Sequence, residues 1–328
     1  MALYKFEELK EIFEGYISRN RLEHEPQGLY KPVNYIMGLK GKRIRPVACL
    51  MTANIFMDDI TPALPVALAI EMFHNFTLMH DDIMDDADLR RAQPTVHVKY
   101  DTNTAILSGD LMMIMSYNYL INCCEDIIVK DKLLRLFTDT AIQVCEGQQY
   151  DMDFENAVEP GLEDYLLMIK LKTAVLVAGT FKAGAIIGGA SEEDARNFYH
   201  FGLNLGLAFQ IQDDLLDTYG DQNNFGKKIG GDIVQNKKTY LYIKTMEIAG
   251  EEDKNTLRQL YSGDNMKQNE KISRVKHIFD KYNIKQLAEE QVRQYTDKAL
   301  KHFDALSVDK SLLGEIKNLA GFLLKRKV

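Results

Sequence analysis

Apolar side chains recur at helical spacing along most of the chain. Phe6, Leu9, Phe13 and Tyr16 follow one another at intervals of three or four residues, so they share one face of a helix. Similar patterns, or long apolar runs, predict further helices over 66–85, 105–124, 162–184, 192–217 and 284–306. No stretch alternates apolar and polar residues as a strand does, and no Asn-Gly pair marks a hairpin. The pattern therefore predicts an all-α protein of about a dozen helices.

Proline and glycine positions indicate one domain. The last of the seven prolines is Pro160, so nothing in the second half of the chain forces a helix to break. The Gly- and Asn-containing stretch 219–236 predicts a loop, and no Gly/Ser/Pro-rich linker divides the chain. We therefore predict a single all-α domain over residues 1–328.

Composition narrows the class of protein. The 328 residues are 46% hydrophobic and 27% charged, which is typical of a globular protein. A formal net charge of -8 argues against a nucleic-acid partner, which would require a broad basic surface. Residues 1–20 lack a signal-peptide core, and no run of about 20 apolar residues predicts a transmembrane segment. The four cysteines are expected to be buried and reduced, as in a cytoplasmic protein, and have no zinc-binding spacing: Cys49, Cys123, Cys124 and Cys145.

The most informative pattern is an Asp-Asp-x-x-Asp cluster that closes two separate apolar helices, at 81–85 and at 213–217. Residues four apart in a helix lie on one face, so Asp81 points with Asp85 and Asp213 with Asp217. Such like charges repel one another, and at a helix C-terminus they also oppose the macrodipole. A cation should compensate, and magnesium suits hard carboxylate oxygens that leave room for water and phosphate.

Polar neighbours extend both clusters along their helices. His74 and Thr77 precede Asp81 on one stripe, and Gln210 precedes Asp213 on the other. Polar stripes on otherwise apolar helices suggest that both helices face an internal, partly wet cavity. One such cluster alone would more often be a solvated helix end, but two identical clusters after apolar runs favour a metal site.

Basic residues form groups near these clusters, often beside glycines. They lie in the segments 40–46, 90–91, 172–173, 226–232 and 237–238. Arg binds phosphate through a bidentate fork and Lys as a point charge, and neighbouring glycines let backbone N–H groups approach an anion. Each pair alone would more often be a solvated surface, but together they indicate a phosphorylated substrate bridged by magnesium. The absence of Walker-type and G-x-G-x-x-G loops argues against a nucleotide-binding fold.

The order of these motifs resembles that of the trans-prenyltransferases, or polyprenyl diphosphate synthases. The resemblance covers most of the chain and rests on the segments 41–46, 71–74, 81–91, 172–174, 209–214 and 226–227, and on Lys237. It implies the isoprenoid-synthase fold, an all-α helical bundle around a central cavity, and usually a homodimer. It also implies a reaction in which isopentenyl diphosphate joins an allylic diphosphate and pyrophosphate is released.

The same resemblance implies roles for the aspartates. Asp81 and Asp85 would hold two magnesium ions and Asp213 a third, with Asp82 and Asp217 in support. In this family a released pyrophosphate takes the proton, so no separate catalytic His/Asp or Ser/His pair is required.

Two groups of residues would bind the two diphosphates. Those for isopentenyl diphosphate are Lys42, Arg45, His74 and Arg91. Those for the allylic diphosphate are Arg90, Lys172, Gln210, Lys227 and Lys237, with Thr173 near the developing cation. The chain departs from the family in having Lys40 before Gly41. Its doubled lysine leaves Lys227 or Lys228 open for one role, and Lys227 is preferred because it follows Gly226 directly.

Product length depends on the helix that precedes the first cluster. Phe76 and Thr77 lie about one helical turn, roughly 5.4 Å, before Asp81, where they would meet the growing tail. In the family resembled, a small residue at the Phe76 position goes with long products and an aromatic one with short products. A single aromatic beside the small Thr77 favours geranylgeranyl diphosphate first and farnesyl diphosphate second.

Three other functions stay open at this point. A terpene cyclase shares the fold and one Asp-Asp-x-x-Asp motif, but it would have no use for Lys42 and Arg45. A non-catalytic subunit of another prenyltransferase commonly lacks one aspartate motif, whereas this chain has both. A purely structural helical protein would leave the paired aspartates unexplained.

Overall fold

The computed structural model of the protein describes residues 3–157, 159–220, 229–263 and 266–324. Within these ranges the chain is helical almost throughout, so the predicted all-α class is confirmed. None of the described helices combines the length and the apolar character that are needed to cross a membrane.

The described residues form sixteen α-helices. The first eight are α1 (Phe6–Arg19), α2 (Gln27–Gly38), α3 (Ile44–Phe56), α4 (Ala63–Met84), α5 (Val96–Lys99), α6 (Thr102–Ile121), α7 (Ile127–Asn156) and α8 (Leu162–Ile169). The others are α9 (Val175–Gly188), α10 (Glu192–Tyr219), α11 (Gly231–Val234), α12 (Tyr240–Ile248), α13 (Glu251–Tyr261), α14 (Gln268–Lys281), α15 (Ile284–Asp304) and α16 (Gly314–Leu324). A π-helical turn, Lys170–Ala174, joins α8 to α9, and a 3-10 turn, Lys310–Leu313, precedes α16.

A short hairpin is the departure from the predicted pattern. Strands β1 (Leu89–Arg90) and β2 (Gln93–Pro94) pair antiparallel, so the expectation of no strand is wrong here. Two residues are too few for a visible alternation. The turn also lacks the Asn-Gly signal. Its two central residues are Arg91 and Ala92, which adopt the left-handed conformation with φ of 53° and 59°.

The cysteines are free thiols, but only two of them are buried. Cys49 and Cys123 are buried, whereas Cys124 is half-buried and Cys145 is exposed. The predicted burial is therefore wrong for the last two. Cys145 lies on the same exposed side of α7 as its neighbour Glu146, and the apolar spacing of that helix did not distinguish its faces.

The chain divides into two compact units. The first comprises Met1–Thr138, Gly179–Arg196 and Ser307–Ile316, and the second comprises Asp139–Ala178, Asn197–Leu306 and Lys317–Val328. The cluster at 81–85 belongs to the first unit and the cluster at 213–217 to the second. The single domain over residues 1–328 stays a prediction.

In the first unit, α4 packs against α3 and α6. Its buried side includes Val66, Ile70 and Phe73. The contact with α6 is close at Gly109, where a Cβ atom would lie 2.3 Å from Nε2 of His80. Burial of α4 along its length holds the first aspartate cluster, at the end of this helix, on a rigid element.

In the second unit, α10 supplies one side of an apolar core. Ile211 and Leu215 of α10 pack in one cluster with Leu241 of α12 and with Val275 and Phe279 of α14. These apolar positions fix the rotation of α10, so the positions of the second aspartate cluster between them are fixed as well.

Candidate active site

The outward aspartates of the first cluster lie at the C-terminal end of α4. Asp81 is half-buried and Asp85 is exposed at the C-cap position. The N–H of Asp85 donates to the carbonyl of Asp81 at 2.8 Å, so the helical turn between them is closed. The two carboxylates therefore lie one helical turn apart at the end of α4, as the sequence pattern predicts.

Asp82 points into the first unit instead. Its side chain is 3% exposed. It accepts two hydrogen bonds from Arg90, from Nε at 2.8 Å and from Nη2 at 2.7 Å. A bidentate pair of this kind fixes both partners. Because Arg90 belongs to β1, the pair ties the hairpin to the end of α4, which suits a supporting role for Asp82.

A second buried ion pair lies further back on α4. Arg43 donates from Nη1 to Oε1 of Glu71 at 2.6 Å and from Nη2 to the carbonyl of Met37 at 2.6 Å. Both charged side chains are almost fully buried. Sequence reasoning missed this pair, although a glutamate inside an apolar helix was a signal, because a buried charge needs a partner.

The Glu71 pair shapes the basic loop before α3. Arg43 has φ of 52°, a left-handed conformation that is uncommon outside glycine and that persists only where the surroundings enforce it. With Arg43 anchored inward, its neighbours Lys42 and Arg45 are presented from a fixed backbone. Lys42 is exposed.

His74 and Arg45 are in direct contact, as predicted for one binding site. Nη1 of Arg45 lies 3.1 Å from Nε2 of His74. Burial, together with the charges of Arg45 and Arg91, holds the pKa of His74 well below its ordinary range. His74 is therefore neutral near pH 7 and can accept the Arg45 hydrogen bond.

Arg91 completes this basic group from the hairpin turn. Its Nη1 donates to the carbonyl of Leu39 at 3.3 Å. The guanidinium lies over Gly41, where a Cβ atom would come within 2.7 Å of Nη1. The missing side chain of Gly41 therefore leaves room for the arginine, which a Cβ atom would push aside.

The basic side chains of the first unit outnumber the acids that face them. The charges of Arg43, Arg45, Arg90 and Arg91 all act on His74. Their buried counterions are the carboxylates of Glu71 and Asp82. Nε of Arg45 is buried and, within the described residues, makes no hydrogen bond. A surplus of positive charge with an unused donor favours binding of an anion.

Aromatic rings lie one turn before the first cluster, where the chain-length residues were predicted. The ring of Phe76 lies 4.8 Å from His80 and 5.6 Å from Phe73, and Phe73 lies 5.2 Å from Phe137. Phe73 is fully buried, whereas Phe76 and Thr77 are half-buried. Phe76 thus belongs to a packed aromatic column, which is formed by His80, Phe76, Phe73 and Phe137.

In the second unit, Asp213 is half-buried and Asp214 points into the core. Oδ2 of Asp214 accepts a hydrogen bond from the hydroxyl of Tyr165 at 2.6 Å and one from the backbone N–H of Tyr240 at 3.1 Å. Burial raises the pKa of Asp214 to about 7, although the Tyr165 hydroxyl opposes the rise. The sequence analysis missed Tyr165, because nothing local distinguishes it from the other tyrosines of the chain, which has sixteen in all.

Asp217 is also buried and organises the loop that follows. Its Oδ2 accepts from the N–H of Asp232 at 2.9 Å, and its carbonyl accepts from the N–H of Gly230 at 2.6 Å. These bonds fold residues 229–234 back onto the end of α10. Lys237 continues the same loop, with Nζ 4.0 Å from Asp232. Asp217 therefore supports the segment that carries Lys237.

Lys172 lies in the π-helical turn between α8 and α9. Its Nζ donates to Oδ2 of Asp151 on α7 at 2.6 Å. Helix α7 and this turn are in close contact at Gly147 of α7, where a Cβ atom would lie 2.2 Å from the backbone nitrogen of Lys172. Single π-helical turns often mark functional sites. Asp151 was missed, although its spacing of four from Gly147 marks the contacting face of α7.

The remaining predicted residues of the second unit are partly brought together. Oγ1 of Thr173 donates to Oε1 of Gln210 at 3.3 Å, so the π-helical turn meets α10 beside the second cluster. Lys227 and its alternative Lys228 lie outside the described residues. Lys238 donates to carbonyls at the end of α7, including that of Phe154 at 3.3 Å.

The donor set suits magnesium. No three His, Cys, Asp or Glu side chains of the described ranges converge into a preformed metal cage. Each cluster instead offers one or two accessible carboxylates. These are Asp81 and Asp85 in the first unit and Asp213 in the second. Magnesium commonly binds in this way, completing its shell with water and substrate phosphates.

The chain is similar to known proteins over most of its length. The polyprenyl synthetase family model matches residues 26–281. The chain belongs to the polyprenyl synthetase family. This polyprenyl synthetase is a short-chain trans-prenyltransferase, as the sequence resemblance implied.

Three relatives of this polyprenyl synthetase illustrate the likeness. Geranylgeranyl diphosphate synthase of Sulfolobus acidocaldarius is 34% identical over 322 residues, which is 97% of this chain and 96% of the relative. Geranylfarnesyl diphosphate synthase of Natronomonas pharaonis is 37% identical over 252 residues, which is 72% of this chain and 74% of the relative. A crystal structure of a geranylgeranyl pyrophosphate synthase superposes with a TM-score of 0.93 at 42% identity, covering 99% of this chain and 100% of that one.

Proposed function

We propose that this polyprenyl synthetase joins isopentenyl diphosphate to an allylic diphosphate in a magnesium-dependent condensation. The products are a short all-trans prenyl diphosphate and pyrophosphate. The observation that carries the proposal is the split within each aspartate cluster. Asp81, Asp85 and Asp213 are left half-buried or exposed, whereas Asp82 and Asp214 are buried and hold other elements in place.

Isopentenyl diphosphate is proposed to bind the basic group of the first unit. Arg45 and Arg91 would contact its phosphates through their guanidinium forks, with Lys42 adding a point charge. His74 is neutral and orients Arg45 by accepting its hydrogen bond. The buried Nε of Arg45, which makes no hydrogen bond to any described residue, is a donor suited to this anion.

The allylic diphosphate is proposed to bind Arg90, Lys172, Gln210 and Lys237, with Lys227 as a further ligand outside the described residues. Each described member is already held by a neighbour. Arg90 is paired with Asp82, Lys172 with Asp151, and Gln210 with Thr173. Groups that are oriented before the substrate arrives lose less entropy when it binds.

Bound magnesium, about three ions with substrate present as the family resemblance implies, would supply positive charge to the departing diphosphate. Asp81, Asp85 and Asp213 would hold these ions. Asp82 and Asp217 would support them by fixing the hairpin and the 229–234 segment.

Breakage of the allylic C–O bond leaves a carbocation. The chain must then exclude water, because water would quench the cation. Thr173, near the start of the apolar helix α9, is proposed to face the developing charge. The double bond of isopentenyl diphosphate attacks the cation, and held geometry contributes much of the rate. The proton that is then lost is proposed to pass to pyrophosphate.

The product is proposed to be geranylgeranyl diphosphate first and farnesyl diphosphate second. The aromatic column that contains Phe76 would obstruct a longer tail, and the relatives named above include geranylgeranyl and geranylfarnesyl synthases. Phe76→Ala should lengthen the product. Phe56→Ala, which truncates another half-buried phenylalanine of the first unit, should not. An unchanged product distribution in Phe76→Ala would remove Phe76 from this role.

The working form is proposed to be a cytoplasmic homodimer. Helix α6 exposes Leu107, Ile114 and Ile121 at a seven-residue spacing, which gives one long apolar stripe. A second copy of the chain would cover such a stripe. Sedimentation should therefore find a dimer for the wild type and a monomer for Ile114→Glu.

The condensation itself is tested by incubating the purified protein with isopentenyl diphosphate, magnesium and one allylic primer. The primers are dimethylallyl, geranyl and farnesyl diphosphate, and the products are identified by mass. We expect condensation with at least one primer, and none after chelation of the metal. Absence of product with every primer would refute the proposal, and product without isopentenyl diphosphate would favour a terpene cyclase.

A further inference from the structure

A side-chain hydrogen bond joins Tyr165 of α8 to Asp214 of α10 in the second unit. The Tyr165 hydroxyl donates to Oδ2 of Asp214 at 2.6 Å, and both side chains are nearly fully buried. Burying a carboxylate and a hydroxyl costs free energy unless each finds a partner. Both polar groups are therefore hydrogen-bonded to each other only when α8 and α10 pack with Tyr165 opposite Asp214.

Asp214 also joins a third element. The same Oδ2 accepts the backbone N–H of Tyr240 at 3.1 Å. Tyr240 is the first residue of α12, and a carboxylate is favoured at a helix N-terminus. One carboxylate oxygen thus holds α8, α10 and α12 in a single arrangement, which is here called the Asp214 hub.

The three elements of the Asp214 hub carry the residues assigned to the allylic diphosphate. Lys172 and Thr173 follow Tyr165 on the continuation of α8, and Lys237 precedes Tyr240 by three residues. Asp213 is adjacent to Asp214 on α10. A further polar link joins Thr173 of the π-helical turn to Gln210 of α10 at 3.3 Å. The Tyr165 bond therefore contributes to the position of Lys172 relative to Asp213.

We propose that Tyr165 is a positioning residue for the allylic diphosphate, acting through the Asp214 hub. The inference rests on the proposed function. Phenylalanine would fill almost the same space, so packing alone does not account for the hydroxyl. Without that hydroxyl, Asp214 keeps one donor, and α8 is free to shift along α10 by a fraction of a turn.

The test compares Tyr165→Phe with Tyr242→Phe. Tyr242 is the matched control, because it is a buried tyrosine of the same core cluster. Its ring centroid lies 4.4 Å from that of Tyr261. Calorimetry measures the binding of inorganic pyrophosphate with magnesium, and steady-state kinetics measure both substrates. We expect Tyr165→Phe to weaken pyrophosphate affinity and lower kcat/KM for the allylic substrate by about 10- to 100-fold. The KM for isopentenyl diphosphate should stay within about twofold of wild type, as should every parameter of Tyr242→Phe.

Substitutions at the partner residue, Asp214, provide a second test by the same measurement of pyrophosphate affinity. Asp214→Leu removes the acceptor and should lose at least as much pyrophosphate affinity as Tyr165→Phe, and the double variant should lose no more. Asp214→Asn retains an acceptor oxygen and should recover about tenfold of the Leu loss. This comparison also serves if Tyr165→Phe does not fold.

The outcomes separate the inference from the proposed function. A wild-type protein that neither binds pyrophosphate nor condenses the substrates would refute the proposed function. If the wild type does both, the inference is overturned when Tyr165→Phe matches Tyr242→Phe, or when it weakens both substrates equally. Equal losses in Asp214→Asn and Asp214→Leu would overturn it as well.

Discussion

The two Asp-Asp-x-x-Asp clusters share one sequence pattern but hold their buried middle aspartate by different means. Asp82 faces a full positive charge, the bidentate guanidinium of Arg90. Asp214 faces two neutral donors, the Tyr165 hydroxyl and the Tyr240 N–H, and burial raises its pKa to about 7. The first anchor is an ion pair, and the second is a hydrogen-bond network whose donors carry no charge.

The first two aspartates have the same direction in both clusters, whereas the last differs, because Asp85 is exposed and Asp217 is buried. The surroundings set the chemistry of the middle aspartate. In each cluster the middle aspartate turns inward and ties down an element that bears basic residues. Asp82 holds the hairpin with Arg90 and Arg91, and Asp214 holds the helix that leads to Lys172. The two anchors should therefore respond differently to loss of the partner and to pH.

The largest difference should appear when each anchor loses its partner. Arg90→Leu leaves Asp82 charged and buried without its counterion, and we expect a loss of about 3 kcal/mol in the free energy of unfolding. This lies at the low end for buried pairs because the Arg90 side chain is 26% exposed. Tyr165→Phe removes one neutral donor and leaves the Tyr240 N–H bond to Asp214, so it should cost about 1 kcal/mol. Urea unfolding measures both variants.

A double variant provides the control for this difference. Adding Asp82→Leu to Arg90→Leu removes the stranded charge and should restore most of the lost stability. The ion-pair description of the first anchor fails if the double variant is no more stable than Arg90→Leu alone, or if Tyr165→Phe costs as much.

A smaller effect is expected from pH at the second anchor. The folded protein holds the Asp214 proton more tightly than the unfolded chain does, because burial raises its pKa to about 7. Its contribution to stability is therefore complete below the ordinary carboxyl pKa and is lost as pH rises towards 7. Between pH 5 and pH 8, without metal, this loss should be about 2–3 kcal/mol. Asp214→Asn should flatten that part of the stability curve, and an unchanged slope would contradict the assignment.

The smallest effect is expected from pH in the first unit, with the opposite sign. Burial and the nearby arginines hold the pKa of His74 below its ordinary value. Its contribution to stability is therefore present above about pH 6.5 and is lost as pH falls, because the unfolded chain takes up the proton first. Because His74 is only half-buried, the loss by pH 5 should be about 1 kcal/mol. His74→Gln should remove this acid-side decline in urea unfolding, and a decline of the same size would refute it.

Local spacing was enough to predict the elements that carry the site. The periodicity of α4 and α10 located both clusters, and the shared direction of Asp81 and Asp85 follows from the helical repeat alone. The basic groups around Lys42 and at Arg90 and Arg91 were located as well. These features depend on residues that are near one another along the chain.

The anchors could not be predicted because their partners are distant in sequence. Glu71 is 28 residues from Arg43, and Asp214 is 49 residues from Tyr165. Nothing local distinguishes Tyr165 from the other tyrosines, since its role arises from the contact of two helices. The hairpin was missed for a related reason, because Arg91 and Ala92 adopt a turn that their side chains do not favour.

Each cluster divides into outward aspartates, which are proposed to bind metal, and an inward middle aspartate, which anchors a neighbouring element. Counting bound Mn²⁺ by electron paramagnetic resonance, with pyrophosphate present, tests this division in four variants: Asp81→Asn, Asp82→Asn, Asp213→Asn and Asp214→Asn. The outward variants at 81 and 213 should bind fewer ions than the wild type. The inward variants at 82 and 214 should bind the full number, with weaker affinity. Loss of an ion from an inward variant, or a full count in both outward variants, would contradict it.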